Sequence, residues 1–158
     1  MKKSISAPLA LIALAALGAA GTALAHHSFA HFDSTKHTLV EGTVTNWSYS
    51  SPHSWLYVDA LDASGKMQKW SFEGAAPIHA TRQGVTGETF KKGEKIRVVR
   101  SPIRDGRPAG AACFVVKEDG SVAQPNDGTC DAPAVYKRWK EKGWLDTGKH
   151  LDTHPLAD

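Results

Sequence analysis

Ser54-Trp55-Leu56-Tyr57-Val58-Asp59-Ala60-Leu61 alternates without a slip: Trp55, Tyr57 and Asp59 fall on one face, and Leu56, Val58 and Ala60 on the other. A period of two with β-branched and aromatic residues is the pattern of a half-buried strand. Ser50-Ser51-Pro52 breaks the chain before it, and Asp62-Ala63-Ser64-Gly65 is a hairpin turn after it. Met67 to Glu73 therefore returns as a partner strand with Trp70 and Phe72 on one face. Upstream, Thr38 to Trp47 is rich in Val and Thr and carries Gly42, which reads as a strand with a bend or bulge.

Downstream, Pro77 to Gln83 loses the period of two and ends at Gly84, the signature of a short helix. Lys91-Lys92-Gly93-Glu94 turns into a strand over Lys95 to Arg100, with Ile96 and Val98 facing together. A loop over Pro102 to Pro108 leads to a fifth strand, Ala111 to Lys117, which alternates Ala112, Phe114 and Val116 against Cys113 and Val115. Three strands, a short helix and two strands make an all-β chain with one short helix, in the order of a five-stranded OB-like barrel. A half-open five-stranded sheet satisfies the same spacing. Residues 123–158 form a C-terminal extension in which Ala132 to Lys142 has helical character, and Trp139 and Trp144 are too apolar for a fully solvated tail.

The N-terminus reads as an export signal. Met1-Lys2-Lys3 precedes an apolar run from Leu9 to Leu17, and Ala23-Leu24-Ala25 forms a small-x-small cleavage site directly before His26-His27. Removing residues 1–25 from 158 leaves 133, enough for one domain with a modest core, here 26–122 plus the extension. The formal charge of the whole chain is +3, and it falls to +1 when Lys2 and Lys3 leave with the signal. No basic stripe remains to hold nucleic acid, and no membrane span is expected after cleavage. The periplasm or the medium is the expected location.

Cys113 and Cys130 are the two cysteines of the sequence. Export favours a disulfide between them, tying the last core strand to the extension. Two thiolates on a metal are the rival reading.

Five short runs come in a recognisable order: His26-His27-Ser28-Phe29-Ala30, Gly42-x-Val44, Pro52-His53-Ser54-Trp55, Trp70-x-Phe72-Glu73 and Lys92-Gly93-Glu94-Lys95. Together, over about Ala25 to Val122, they resemble the small exported bacterial proteins of the domain-of-unknown-function family 6152. The chain departs from that pattern at Ser51, where an Asn commonly precedes Pro-His, and at Gln83-Gly84-Val85, where Arg-Gly-Trp is usual. The resemblance implies export and a small β fold. It implies no activity.

Cleavage after Ala25 would give His26 a free α-amine beside its imidazole, a bidentate nitrogen chelate. A second imidazole completes a planar, all-nitrogen set that suits Cu(II), the divalent metal that leads the affinity order. His53 is the preferred partner because Pro52 stiffens its approach to a strand, with His27 or His31 as alternatives. Copper is thus the candidate cofactor, and a metal ion, a small ligand or another exported protein the candidate partner. Against this stands the reading of the histidines as solvated polar residues on a mobile terminus.

The second constellation is the face His53, Trp55, Tyr57 and Asp59, edged by Arg104 and Arg107 of the loop before the fifth strand. In OB-like barrels this is the usual ligand surface. The competing reading is a second small core, with Trp55 and Tyr57 covered by Phe29 and Phe32 or by the C-terminal tryptophans. Asp59 and Glu73 fall on neighbouring strands, while Arg97, Arg100, Lys91 and Lys92 read as solvated charges. The sequence has no G-x-S-x-G, H-E-x-x-H or glycine-rich phosphate loop, so binding is expected rather than catalysis.

Overall fold

The structure, a computed structural model, describes residues 29–147 and 151–153. The proposed signal peptide and the predicted ligands His26 and His27 lie outside the described residues. The chain divides into two units, Met1–Ala30 and His31–Asp158, and the architecture below is that of the second.

Among the described residues, seven strands and two α-helices follow in chain order: β1 (Lys36–Ser48), β2 (Ser54–Leu61), β3 (Met67–Gly74), α1 (Pro77–Ala80), β4 (Lys95–Pro102), β5 (Ala109–Lys117), β6 (Val122–Ala123), α2 (Ala132–Glu141) and β7 (Leu151–Thr153). Helix α1 continues as a 3-10 turn over Thr81–Gln83, the short helix that the sequence predicts. Among the described residues no helix is long and apolar enough to cross a membrane.

Five strands close into a ring, and their order around it differs from their order in the chain. Strand β1 pairs with both β2 and β4, and β5 inserts between β3 and β4, giving β1-β2-β3-β5-β4 and back to β1. The β3–β5 pairing is parallel and the other four are antiparallel. A simple up-and-down meander would have paired β3 with β4. The α1 segment instead carries the chain away from β3, so that β4 returns beside β1. Two strands absent from the sequence reading, β6 and β7, pair outside the ring with β5 and β1.

Ring closure rests on β1. Its first half runs along β4, from Thr38 opposite Arg100 to Thr43 opposite Lys95, and its second half runs along β2, from Gly42 opposite Ala60 to Ser48 opposite Trp55. Gly42 is where one set of partners takes over from the other. A Cβ there would lie 2.5 Å from the Asp59 carbonyl oxygen and 2.6 Å from Val58 Cγ1, so the strands cross at a distance that a side chain forbids. A bulge between Val44 and Asn46 then shifts the phase of β1. Past it, Trp47 and Tyr49 pack toward the core that Val40 and Val44 entered before it.

Inside the ring lie Val40, Val44, Leu56, Val58, Phe72, Ile96, Val98 and Val115, with Phe90 and Val85 from the connection that follows α1. The alternation of β2 is as read from sequence: Leu56, Val58 and Ala60 are buried, whereas Trp55 and Asp59 are partly exposed and Tyr57 is exposed. On β5 the predicted alternation is corrected. A bulge opposite Val99 and Arg100 leaves Cys113 over, so Ala112 and Val115 enter the ring while Cys113, Phe114 and Val116 face outward.

The outward residues meet the C-terminal segment. Asp131 caps α2 by accepting from the Ala134 amide at 3.2 Å. The helix buries Ala132, Val135 and Trp139 against Leu39, Val99 and Phe114. Trp139 is fully buried, its Nε1 donating to Asp152 of β7 at 3.3 Å, and Arg138 Nε donates to the same carboxylate at 2.9 Å. Cys113 and Cys130 stand at disulfide distance with Cα atoms 5.8 Å apart, fixing the start of α2 to β5. Trp144 packs edge-on against Trp139 at 5.7 Å between ring centroids, so both C-terminal tryptophans belong to the cluster with Val99 and Phe114.

Arg100 departs most from its sequence reading. It is only 9% exposed, and its guanidinium lies over the Trp70 ring at 4.7 Å. Burial lowers its pKa to about 10, which leaves it cationic at neutral pH.

The crossing at Gly42 yields a direct expectation. Gly42→Ala should destabilise the protein by about 1 to 3 kcal/mol through overpacking, read as a lowered midpoint in urea with an unchanged denaturant slope.

Candidate functional site

His53 is delivered by the break that the sequence predicts. The Ser51–Pro52 peptide is cis, and the next residue but one begins β2. Ser54 is held by the end of β3: its amide and its hydroxyl both donate to the Ala75 carbonyl, at 3.3 and 2.7 Å. Ser54 lies opposite Gly74, and Trp55 opposite Glu73. Directly opposed residues share a face of the sheet, so Glu73 emerges on the outer face that carries Trp55, at the end where His53 enters.

A third element closes over this corner. The Ala75 amide donates to the Pro125 carbonyl at 2.6 Å, and Gln83 Nε2 donates to the Asn126 carbonyl at 3.1 Å. Asn126 is a turn organiser, accepting from the Gly128 amide at 3.0 Å and donating through Nδ2 to the Cys130 carbonyl at 2.6 Å. The fit needs Gly74, where a Cβ would lie 2.8 Å from both the Pro125 carbonyl oxygen and Ser54 Oγ. This packing carries Asp127 over the end of β3.

His53, Glu73 and Asp127 then converge, each offering a ligand atom within 4.8 Å of the other two. His53 Nδ1 is 2.9 Å from Glu73 Oε1, close enough for an ion pair but off the line a ring N–H would take, so that nitrogen has no hydrogen-bond partner. Asp127 Oδ2 is buried and also has none, its other oxygen accepting from the Thr129 amide at 3.3 Å. Glu73 is 8% exposed. Burial raises the Glu73 pKa above the ordinary glutamate value, with His53 opposing and Asp127 adding to the rise. Burial likewise raises that of Asp127, against the hydrogen bonds from Thr129. Two adjacent carboxylates short of donors, with an imidazole nitrogen turned to the same point, form an N-O-O donor set for a cation.

The sequence-predicted residues divide on this geometry. His53 is in the cluster. His31 is exposed at the end of a 3-10 turn and acts electrostatically on Glu73, lowering its pKa. Trp55, Tyr57 and Asp59 do share the outer face of β2, but Asp59 lies opposite Lys69 and Glu73 opposite Trp55. The two carboxylates are four rungs apart, about 13 Å along the strand, and do not form a pair. Tyr57, Asp59, Lys69 and Trp70 line a shallow pocket of about 330 Å³. Arg107 is exposed, its Nε donating to Asp105 at 2.7 Å, and the Arg104 amide donates to the His31 carbonyl at 2.8 Å.

Glu73 and Asp127 are the residues that sequence reasoning missed. Glu73 lies in a motif already noted, but its neighbour Asp127 comes from a polar turn more than fifty positions away. A second convergence, His37 with Cys113 and Cys130, lies within the same 4.8 Å, but sulfurs joined to each other leave no thiolate to ligate.

The profile of the family of unknown function DUF6152 matches residues 13–112, more than half of the chain. No curated protein and no solved structure matches. The match spans His53 and Glu73 and stops short of Asp127, α2 and both cysteines. The chain belongs to the DUF6152 family.

Proposed function

We propose that this protein is an exported binding protein for a first-row divalent transition metal, held by His53 Nδ1 and the carboxylates of Glu73 and Asp127. The observation that carries this reading is the convergence of these three ligand atoms within 4.8 Å, with two of them lacking hydrogen-bond partners. Carboxylates with raised pKa values, one buried and one partly buried, gain most from a cation, which neutralises both and takes up the unmatched lone pairs of the buried Asp127 Oδ2. Read as an OB-like barrel, the five-strand ring places this corner at the end of the β2–β3 face, where such folds usually bind ligands. The export part of the reading is supported by the Ala23-x-Ala25 cleavage pattern and by the cysteine pair, which suits an oxidising compartment.

Titration of the protein with Zn(II) and Cu(II) should show one site per chain. His53→Ala and Asp127→Asn should each weaken it by on the order of tenfold to a hundredfold, with the far-ultraviolet circular dichroism unchanged. Equal affinity in all three proteins would defeat the proposal.

The sign of the carboxylate shifts gives a further expectation. Groups whose pKa is raised on folding favour the folded state below the ordinary carboxylate value, and that advantage is lost as pH rises through the raised value. Glu73→Gln should therefore raise the melting midpoint of metal-free protein at neutral pH. The gain should shrink below about pH 4.5, the ordinary glutamate value, while metal affinity is lost.

The copper form of the proposal sets His26, as the processed first residue with its amine, beside His53, with His27 or His31 as the alternative nitrogen donor. It is separated by one comparison: an extra residue ahead of His26 should cut Cu(II) affinity at least tenfold, since the amine no longer closes a chelate ring. Zn(II) binding at His53, Glu73 and Asp127 should be unaffected by that change.

A further inference from the structure

The interior of the ring is not filled to its end. Where the first half of β1 has left β2 to pair with β4, a cavity of about 630 Å³ remains, lined by Thr38, Val40, Leu61, Gln68, Trp70 and Arg100. That size is ordinary for small-molecule pockets, and most of the wall is apolar.

The buried polar groups of the wall that lack a partner cluster at one end. Arg100 Nη1 donates to the Ala109 carbonyl, but Arg100 Nε, Trp70 Nε1 and Thr38 Oγ1 are buried without a hydrogen-bond partner. The guanidinium is stacked on Trp70, and among the described residues no carboxylate lies within ion-pair distance of it. Two carboxylate residues also reach the lining: Asp62, whose Oδ1 is occupied by the amides of Ser64 and Lys66, and the exposed Glu41. A nine-tenths buried cation without a counterion is costly, and its own unmatched Nε and the two unmatched groups beside it, Trp70 Nε1 and Thr38 Oγ1, add to the cost. The ligand that removes both costs is an anion with several acceptor lone pairs, carried on an apolar body that fits the rest of the wall.

We propose that this cavity binds a small organic carboxylate, with its carboxylate at Arg100, Trp70 and Thr38 and its apolar chain along Val40 and Leu61. The site is separate from the metal cluster. It lies at the open end of the ring, with the exposed Leu61 and Glu41 at its rim, and involves none of the same residues.

Decanoate is a suitable probe, with decanol as its uncharged counterpart, titrated calorimetrically into the full processed chain in the presence of EDTA. Decanoate should bind at least tenfold more tightly than decanol. Arg100→Met should weaken decanoate by about tenfold or more, about 1.4 kcal/mol, and leave decanol within about threefold. In wild-type protein the backbone amide resonances of Thr38, Gln68 and Trp70 should move with decanoate. These shifts decide the matter by themselves if Arg100→Met does not fold. Decanoate that binds no better than decanol, binding indifferent to Arg100→Met, or unmoved resonances at those three amides would each overturn the proposal.

Discussion

Everything in this fold depends on one strand having two sets of partners. β1 is hydrogen-bonded to β4 over its first half and to β2 over its second, and the handover at Gly42 turns an open sheet into a ring. Closure removes the free edges that leave small sheets prone to pairing with other chains. It also fixes two distinct regions: a corner on the outer face of β2 and β3, and an interior opening where β1 parts from β2. Both candidate sites are products of that geometry, one outside the ring and one within it.

Local pattern carried the strands well. The alternation of Ser54 to Leu61, the Asp62 to Gly65 turn and the Pro77 to Gly84 helix each depend on residues close in sequence, and each stands as read. What pattern does not encode is which strand lies beside which. The insertion of β5 between β3 and β4 is a long-range choice, and nothing in the strands' own alternation separates it from a meander. The bulge that expels Cys113 is similarly invisible, because Ala112 through Val116 are all small or apolar and fit either face.

The site was legible in part for the same reason. His53 drew attention because proline and a strand onset flank it, local facts both. Asp127 sits in a turn whose sequence, Asn126-Asp127-Gly128-Thr129, is that of any solvated loop, and only the packing of Pro125 on Gly74 gives it a role. Arg100 was misread for a complementary reason. Arginine in a strand is usually solvated, and its burial follows from which face of β4 the closed ring turns inward.

Asp127 stands three residues before Cys130, and the turn that presents it is pinned at one end by Pro125 on Ala75 and at the other by the sulfur bridge to β5. The position of Asp127 thus depends on the cysteine pair as well as on the five-strand ring. With the two cysteines reduced, His53 and Glu73 would keep their places on the ring, while Asp127 would be held through the contacts of Pro125 and Asn126 with Ala75 and Gln83 alone, so the geometry of the proposed cluster is coupled to the redox state of a bond outside it.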